Sequence, residues 1–214
     1  MSLSAMLWSE ADEVASRCLA HPFLRGIADG TLPADRYRDF IAQDAFFLEV
    51  FARSYAYCLA MAPDRDGLYA FYRLLRGVFE EIELHRRVAG ELEIDLDHVE
   101  PAAATLAYTD FLEDRVRNGA TIGETLAAMT PCMRLYAYLG RRLAVGEVAE
   151  PYRDWVQTYA AEEFEELASL IEALLDRYAD ADPAGGAERE SYHRAMELEY
   201  WFFDAAWKGQ AVGN

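Results

Sequence analysis

The chain has 214 residues, 53% of them hydrophobic, and a formal net charge of -18. This composition supplies one sizeable core, and with no Pro/Gly/Ser-rich linker it reads as a single domain over residues 1–214. The negative field excludes nucleic acid and anionic membrane as partners, because polyphosphate binding needs clustered Lys and Arg, and Lys208 is the sole lysine.

The start, Met1 to Met6, has no basic n-region, and no stretch approaches the ~18 apolar residues of a membrane span, so a soluble, cytoplasmic protein is expected. The acidic, lysine-poor composition fits a salt-rich cytoplasm and a GC-rich genome equally well. Apolar residues recur at three- and four-residue spacing and strand-like alternation is missing, which predicts an all-α protein. Helices are expected over about 4–20, 34–61, 65–91, 101–118, 122–145, 151–179 and 188–208, packed as a bundle through short polar joints. Thr121-Ile122-Gly123-Glu124 has the form of a capping box, Gly146 offers a left-handed stop, and Pro151 suits the first turn of the next helix. Residues 179–186, rich in Asp, Ala, Pro and Gly, form the clearest loop.

Three ionisable side chains sit on otherwise apolar helix faces. Asp44 has Phe40, Phe47, Leu48 and Phe51 at helical offsets, so its carboxylate lies within a buried stripe and needs a donor, a ligand or a proton. An arginine from a neighbouring helix is the plainest partner. Cys132 follows Pro131, which falls inside a helix and removes a bond to the carbonyl of Ala127, with Tyr136 one turn further on the same face. Glu199 has Tyr192, Met196, Phe202, Phe203 and Ala206 around it, a setting that raises a carboxyl pKa and suits proton transfer.

Cys18, Cys58 and Cys132 are an odd number without metal-like spacing, which suggests neither a disulfide framework nor a zinc ribbon. A pocket thiol with local donors holds appreciable thiolate, so Cys132 is expected to be alkylated fastest of the three. A di-iron centre needs more histidine than is available: Glu190-Ser191-Tyr192-His193 has one suitable spacing, Glu81 and His85 lie at i and i+4, and His21 and His98 fall near helix ends. Trp155 and Tyr159, at i and i+4, and Tyr108 are aromatic candidates for the wall of a pocket that takes a flat heteroaromatic ligand.

His21-Pro22-Phe23, Gly30-Thr31-Leu32, Gln43-Asp44 through Phe51-Ala52-Arg53, Pro131-Cys132 with Tyr136, Trp155 with Tyr159 through Glu163-Phe164, and Glu199 through Phe202-Phe203-Asp204 occur in that order. Together they resemble the TenA-type thiaminase II family, the aminopyrimidine aminohydrolases, over nearly the whole chain. The resemblance implies a haem-oxygenase-like helical fold, a homotetramer, and cofactor-free hydrolysis in thiamin salvage, without metal, that releases the hydroxymethylpyrimidine half of degraded thiamin. It further implies Cys132 as nucleophile, Asp44 as the residue holding the aminopyrimidine substrate, and Glu199 as proton donor to the departing amine or thiazole. Phe47, Tyr108, Tyr136 and Tyr159 match pocket positions, although Phe47 lacks the hydroxyl often present there and Ala45 replaces an aromatic residue. The cysteine places the chain with the cysteine-bearing branch, and aminomethyl- and formylaminomethyl-pyrimidine are favoured over thiamin on family grounds. The competing readings are an oxidase of the same fold, dependent on a cofactor or a di-iron centre, and a non-catalytic pyrimidine-binding or regulatory protein.

Overall fold

The computed structural model describes residues 1–118, 120–179 and 186–209. Ten α-helices and a single 3₁₀ turn, Leu96–His98, account for its regular structure, and no strand occurs among the described residues. The helices are α1 Leu3–Glu10, α2 Asp12–Leu19, α3 Pro22–Asp29, α4 Ala34–Met61, α5 Arg65–Glu91, α6 Ala103–Arg117, α7 Ile122–Leu143, α8 Glu150–Ala160, α9 Glu162–Tyr178 and α10 Gly186–Lys208. No described helix is long and apolar enough to cross a membrane.

The bundle is organised around α7, which packs against α4, α6, α8, α9 and α10. Its sequence explains that position. Gly123, Ala127, Ala128, Ala137 and Gly140 are buried small residues that let neighbours approach closely, and a Cβ at Gly140 would run into the backbone of Tyr159 and Ala160. The helix opens with the capping box: Glu124 N–H donates to Thr121 Oγ1 at 3.1 Å, and Thr121 N–H to Glu124 Oε2 at 2.8 Å. It continues through Pro131 to Leu143 without a break in the helix. Arg134, mostly buried, clamps α9 by donating to Glu165 and Glu172, a forked guanidinium–carboxylate contact.

Gln43 ties α4 to the beginning of α6. Its Oε1 accepts from Ala102 N–H at 2.8 Å and from Thr105 Oγ1 at 2.6 Å, while its Nε2 donates to the Glu100 carbonyl at 3.0 Å. One orphan N–H at the start of α6, that of its N-cap Ala102, is thereby satisfied by the residue beside Asp44. Phe23, Phe40 and Phe203 form an aromatic cluster that seats α3, α4 and α10 on one another.

Four expectations are corrected. The first predicted helix is two, α1 and α2, joined at Ala11, and the stretch 151–179 breaks at Ala161, whose backbone is extended (φ -65, ψ 149). An unpredicted helix, α3, starts on Pro22 with the His21 ring accepting from Phe23 N–H, and it stops at Gly30, which takes φ 75. Gly146 is not left-handed; α7 ends at Ala144, whose N–H donates to the Gly140 carbonyl. Most of the predicted 179–186 loop lies outside the described residues.

Candidate active site

Five helices carry ionisable or aromatic groups into one interior region. Asp44 and Phe47 come from α4, Tyr108 from α6, Cys132 and Tyr136 from α7, Tyr159 from α8 and Glu199 from α10. All but Cys132 are buried. Cys132 alone is only half-buried.

Tyr108 Oη donates to Glu199 Oε1 at 2.8 Å, and the Cys132 thiol lies near enough to the same carboxyl group for each to shift the other's proton affinity. Burial pushes Glu199 up to about 8, a rise that Asp44 reinforces and that the Tyr108 bond and the nearby Cys132 thiol only partly oppose. A carboxyl group raised this far gains and loses its proton near neutral pH, the range that suits proton transfer. Phe47 lies against Tyr108, ring centroids 4.7 Å apart, while Tyr136 meets Tyr159 edge-on at 4.8 Å and Phe203 at 5.8 Å. Burial also drives the Tyr108, Tyr136 and Tyr159 hydroxyls well above their ordinary range, so all three remain neutral donors.

The partner of Asp44 is a histidine and not the arginine anticipated from the sequence. His85 Nε2 lies 2.8 Å from Asp44 Oδ2, and His85 Nδ1 lies 3.0 Å from the Glu81 carbonyl. Burial works against a charged imidazole, but the Asp44 bond and charge, aided by Glu81, outweigh it and raise His85 to about 9. Glu81 accepts from Tyr159 Oη, and burial lifts its carboxyl to about 7 against the opposing pull of His85. Part of Glu81 remains accessible because it lines a cleft of about 280 Å³ bounded also by Val78, Met133, Thr158 and Phe164.

Sequence reasoning noted Glu81 and His85 only as possible metal ligands. The signal for more was present: buried Phe71, Leu74 and Val78 continue at helical spacing into Glu81, His85 and buried Ala89. Asp44, Glu81 and His85 each place one donor atom within 4.8 Å of the others. As a metal centre this set is poor, since both His85 nitrogens are already engaged and Glu81 holds Tyr159. The Glu190–His193 spacing serves another purpose: His193 pairs with Glu10 at 3.0 Å on the surface. His98 pairs with Asp95, and His21 faces Asp204 at 3.7 Å.

One expectation about Cys132 is reversed. Burial, then Glu199, Glu81 and Asp44, push its thiol well above the usual value, so the free protein holds a thiol and little thiolate. Cys58 is raised to about 12 by burial alone, and Cys18 is raised further still. Cys132 still has the better access. Neutral iodoacetamide should label Cys132 before Cys18 and Cys58, at a rate that keeps rising through pH 9 instead of levelling near 7; peptide mass spectrometry of timed samples reads both features. A plateau below pH 8 would show a preformed thiolate.

The fold and these contacts define a class: an all-helical protein in which a thiol–carboxyl couple and a histidine-paired carboxylate lie close together between aromatic walls. Residues 8–209 match the TENA/THI-4/PQQC family, and the chain belongs to it. The aminopyrimidine aminohydrolase of Halalkalibacterium halodurans is 34% identical over 84% of this chain and 83% of its own length. That of Bacillus subtilis is 30% identical over 97% and 91%. The mitochondrial bifunctional TH2 protein of Arabidopsis thaliana is 30% identical over 95% of this chain, which spans only 37% of that longer protein. Among solved structures, a TenA family transcription regulator from a Silicibacter species superposes with a TM-score of 0.89 at 25% identity, covering 97% of both chains. A TenA homologue from P. horikoshii gives 0.87 at 22% identity over 97% of this chain and 99% of its own. The fold is haem-oxygenase-like.

Proposed function

We propose that this protein is a thiamin-salvage hydrolase that releases 4-amino-5-hydroxymethyl-2-methylpyrimidine from its aminomethyl counterpart, using Cys132 as nucleophile. The observation that carries this reading is the Tyr108–Glu199 hydrogen bond with the Cys132 thiol beside it, close enough to Asp44 for its charge to act on both the thiol and the carboxyl group.

The chemistry follows from the proton positions. A thiol is a weak nucleophile until it loses its proton, and here the Glu199 carboxylate is the neighbouring acceptor. Sulfur adds to a ring carbon conjugated with the exocyclic methylene as that proton passes to Glu199. The ring electrons then expel the amine, which takes the proton from Glu199. Water adds to the exposed methylene and gives a proton to Glu199, and the carbon–sulfur bond then breaks to restore the aromatic ring, the departing sulfur taking that proton back from Glu199. The sum is one aminomethyl group and one water converted to one hydroxymethyl group and one ammonia.

Asp44 supplies what sulfur addition to an electron-poor ring requires. A carboxylate set against the N–C–NH₂ edge accepts from the amino group and from a protonated ring nitrogen, which draws electron density from the ring. Phe47, Tyr108, Tyr136 and Tyr159 would border the flat ligand and keep out bulk water. Tyr108 fixes Glu199 in orientation through its hydroxyl.

Incubation with aminomethyl-pyrimidine, formylaminomethyl-pyrimidine and thiamin in parallel, with the product identified by mass, tests the proposal. Release of hydroxymethylpyrimidine, fastest from one of the two breakdown products, is expected. Tight binding of the pyrimidine without turnover of any of the three would instead mark a binding or regulatory protein.

A further inference from the structure

We propose that His85 is a positioning residue for this site, a buried imidazolium that holds Asp44 as an anion with one oxygen fixed and the other presented to the ligand. The role at the ligand rests on the reading of Asp44 given above; the charge state of His85 does not.

A backbone carbonyl can only accept, so the 3.0 Å contact with the Glu81 carbonyl puts a hydrogen on His85 Nδ1. Nε2 then lies 2.8 Å from Asp44 Oδ2. Two bare lone pairs do not sit at that distance, so a proton lies between them. Two neighbours decide which partner keeps it. The Glu81 side chain, beside His85 and accepting from Tyr159, adds negative potential that favours the cation. The raised affinity of His85 for its proton, to about 9, points the same way.

The geometry also limits what Asp44 can do. With Oδ2 engaged by His85, Oδ1 is the oxygen left for a ligand, joined by the second lone pair of Oδ2, an arrangement that fits two parallel donors on a flat ring edge. Rotation of the carboxylate would break the His85 bond, and rotation of the His85 ring would break the Glu81 bond. Residue 81 therefore anchors both arms: its carbonyl holds His85 and its side chain holds Tyr159. Stability alone does not call for such a pair, because a buried ion pair is often no better than apolar residues of the same volume.

Three arms test the assignment. In protein labelled with ¹⁵N-histidine, long-range proton–nitrogen correlation at pH 7.5 should show both His85 ring nitrogens protonated; a bare Nε2 overturns the proposal whatever the ligand is. With hydroxymethylpyrimidine as the calorimetric probe, His85→Leu should weaken binding at least about tenfold, and His85→Gln, which keeps one donor, should recover part of that loss. The Asp44→Asn/His85→Leu double variant should bind no more weakly than Asp44→Asn alone, since His85 acts through Asp44. Additive losses, or undiminished binding by His85→Leu, would overturn the proposal. Failure of the unaltered protein to bind the probe would instead refute the functional reading, with the nitrogen correlation still deciding the charge of His85.

Discussion

Cys132→Ser is expected to lower kcat for aminomethyl-pyrimidine by on the order of 10³-fold or more, while binding of hydroxymethylpyrimidine stays within about threefold. Serine keeps the shape and can still donate to Glu199. It does not keep the acidity: a carboxylate raised to about 8 can draw a proton from a thiol but is far too weak a base for a hydroxyl. Burial and three acidic neighbours disfavour the thiolate in the free protein. In the proposed reaction the thiol proton leaves for the neighbouring Glu199 carboxylate, and an incoming ammonium or protonated ring offsets the negative potential of Asp44 and Glu81. Rapid-quench detection of product measures the effect. A serine variant within tenfold of the unaltered protein would remove Cys132 from the nucleophile's place and leave the carboxylates as the reacting groups.

How far the sequence reached depended on whether a residue's surroundings are written in its own helix. Asp44 and Glu199 stood out because their neighbours at helical spacing are aromatic, and both prove buried. The capping box at Thr121 was readable for the same reason, since both partners lie within four residues. The breaks at Ala11 and Ala161 were not, because alanine is the best helix former and only tertiary packing turns the chain there. Gly146 misled in the opposite sense: a glycine permits a left-handed stop without requiring one. The identity of the partner of Asp44 needed the fold. His85 lies 41 residues away on α5, and nothing local distinguishes an imidazole that bonds a carboxylate across α4 and α5 from one that waits for a metal. Cys132 shows the same limit: its helix reports a proline and a tyrosine, whereas its acidity is governed by burial and by Glu199, Glu81 and Asp44 from three other helices.

Glu199→Gln should make the protein more stable while costing roughly 10²- to 10⁴-fold in kcat. The activity loss follows from the proton route, since glutamine can accept from Tyr108 but can neither take the thiol proton nor hand it to the departing nitrogen. The stability gain follows from linkage. Burial raises the Glu199 carboxyl from 4.5 to about 8, so the folded state binds this proton more tightly than the unfolded chain does. The associated stability is fully present below pH 4.5 and is lost progressively as pH rises towards about 8. Glutamine has no proton to lose. The two proteins should therefore have similar urea midpoints near pH 4.5, with the variant gaining about 1–3 kcal/mol by pH 8. In the same window kcat of the unaltered protein should rise as Glu199 loses its proton and becomes able to take that of the thiol, whereas the residual rate of the variant lacks that limb. A pH-independent stability difference would mean that Glu199 titrates as it does in the unfolded chain, and its place as a proton carrier near neutral pH would then fall. The joint outcome, greater stability with lost activity, is what separates a carboxyl group kept in an apolar setting for chemistry from one kept for packing.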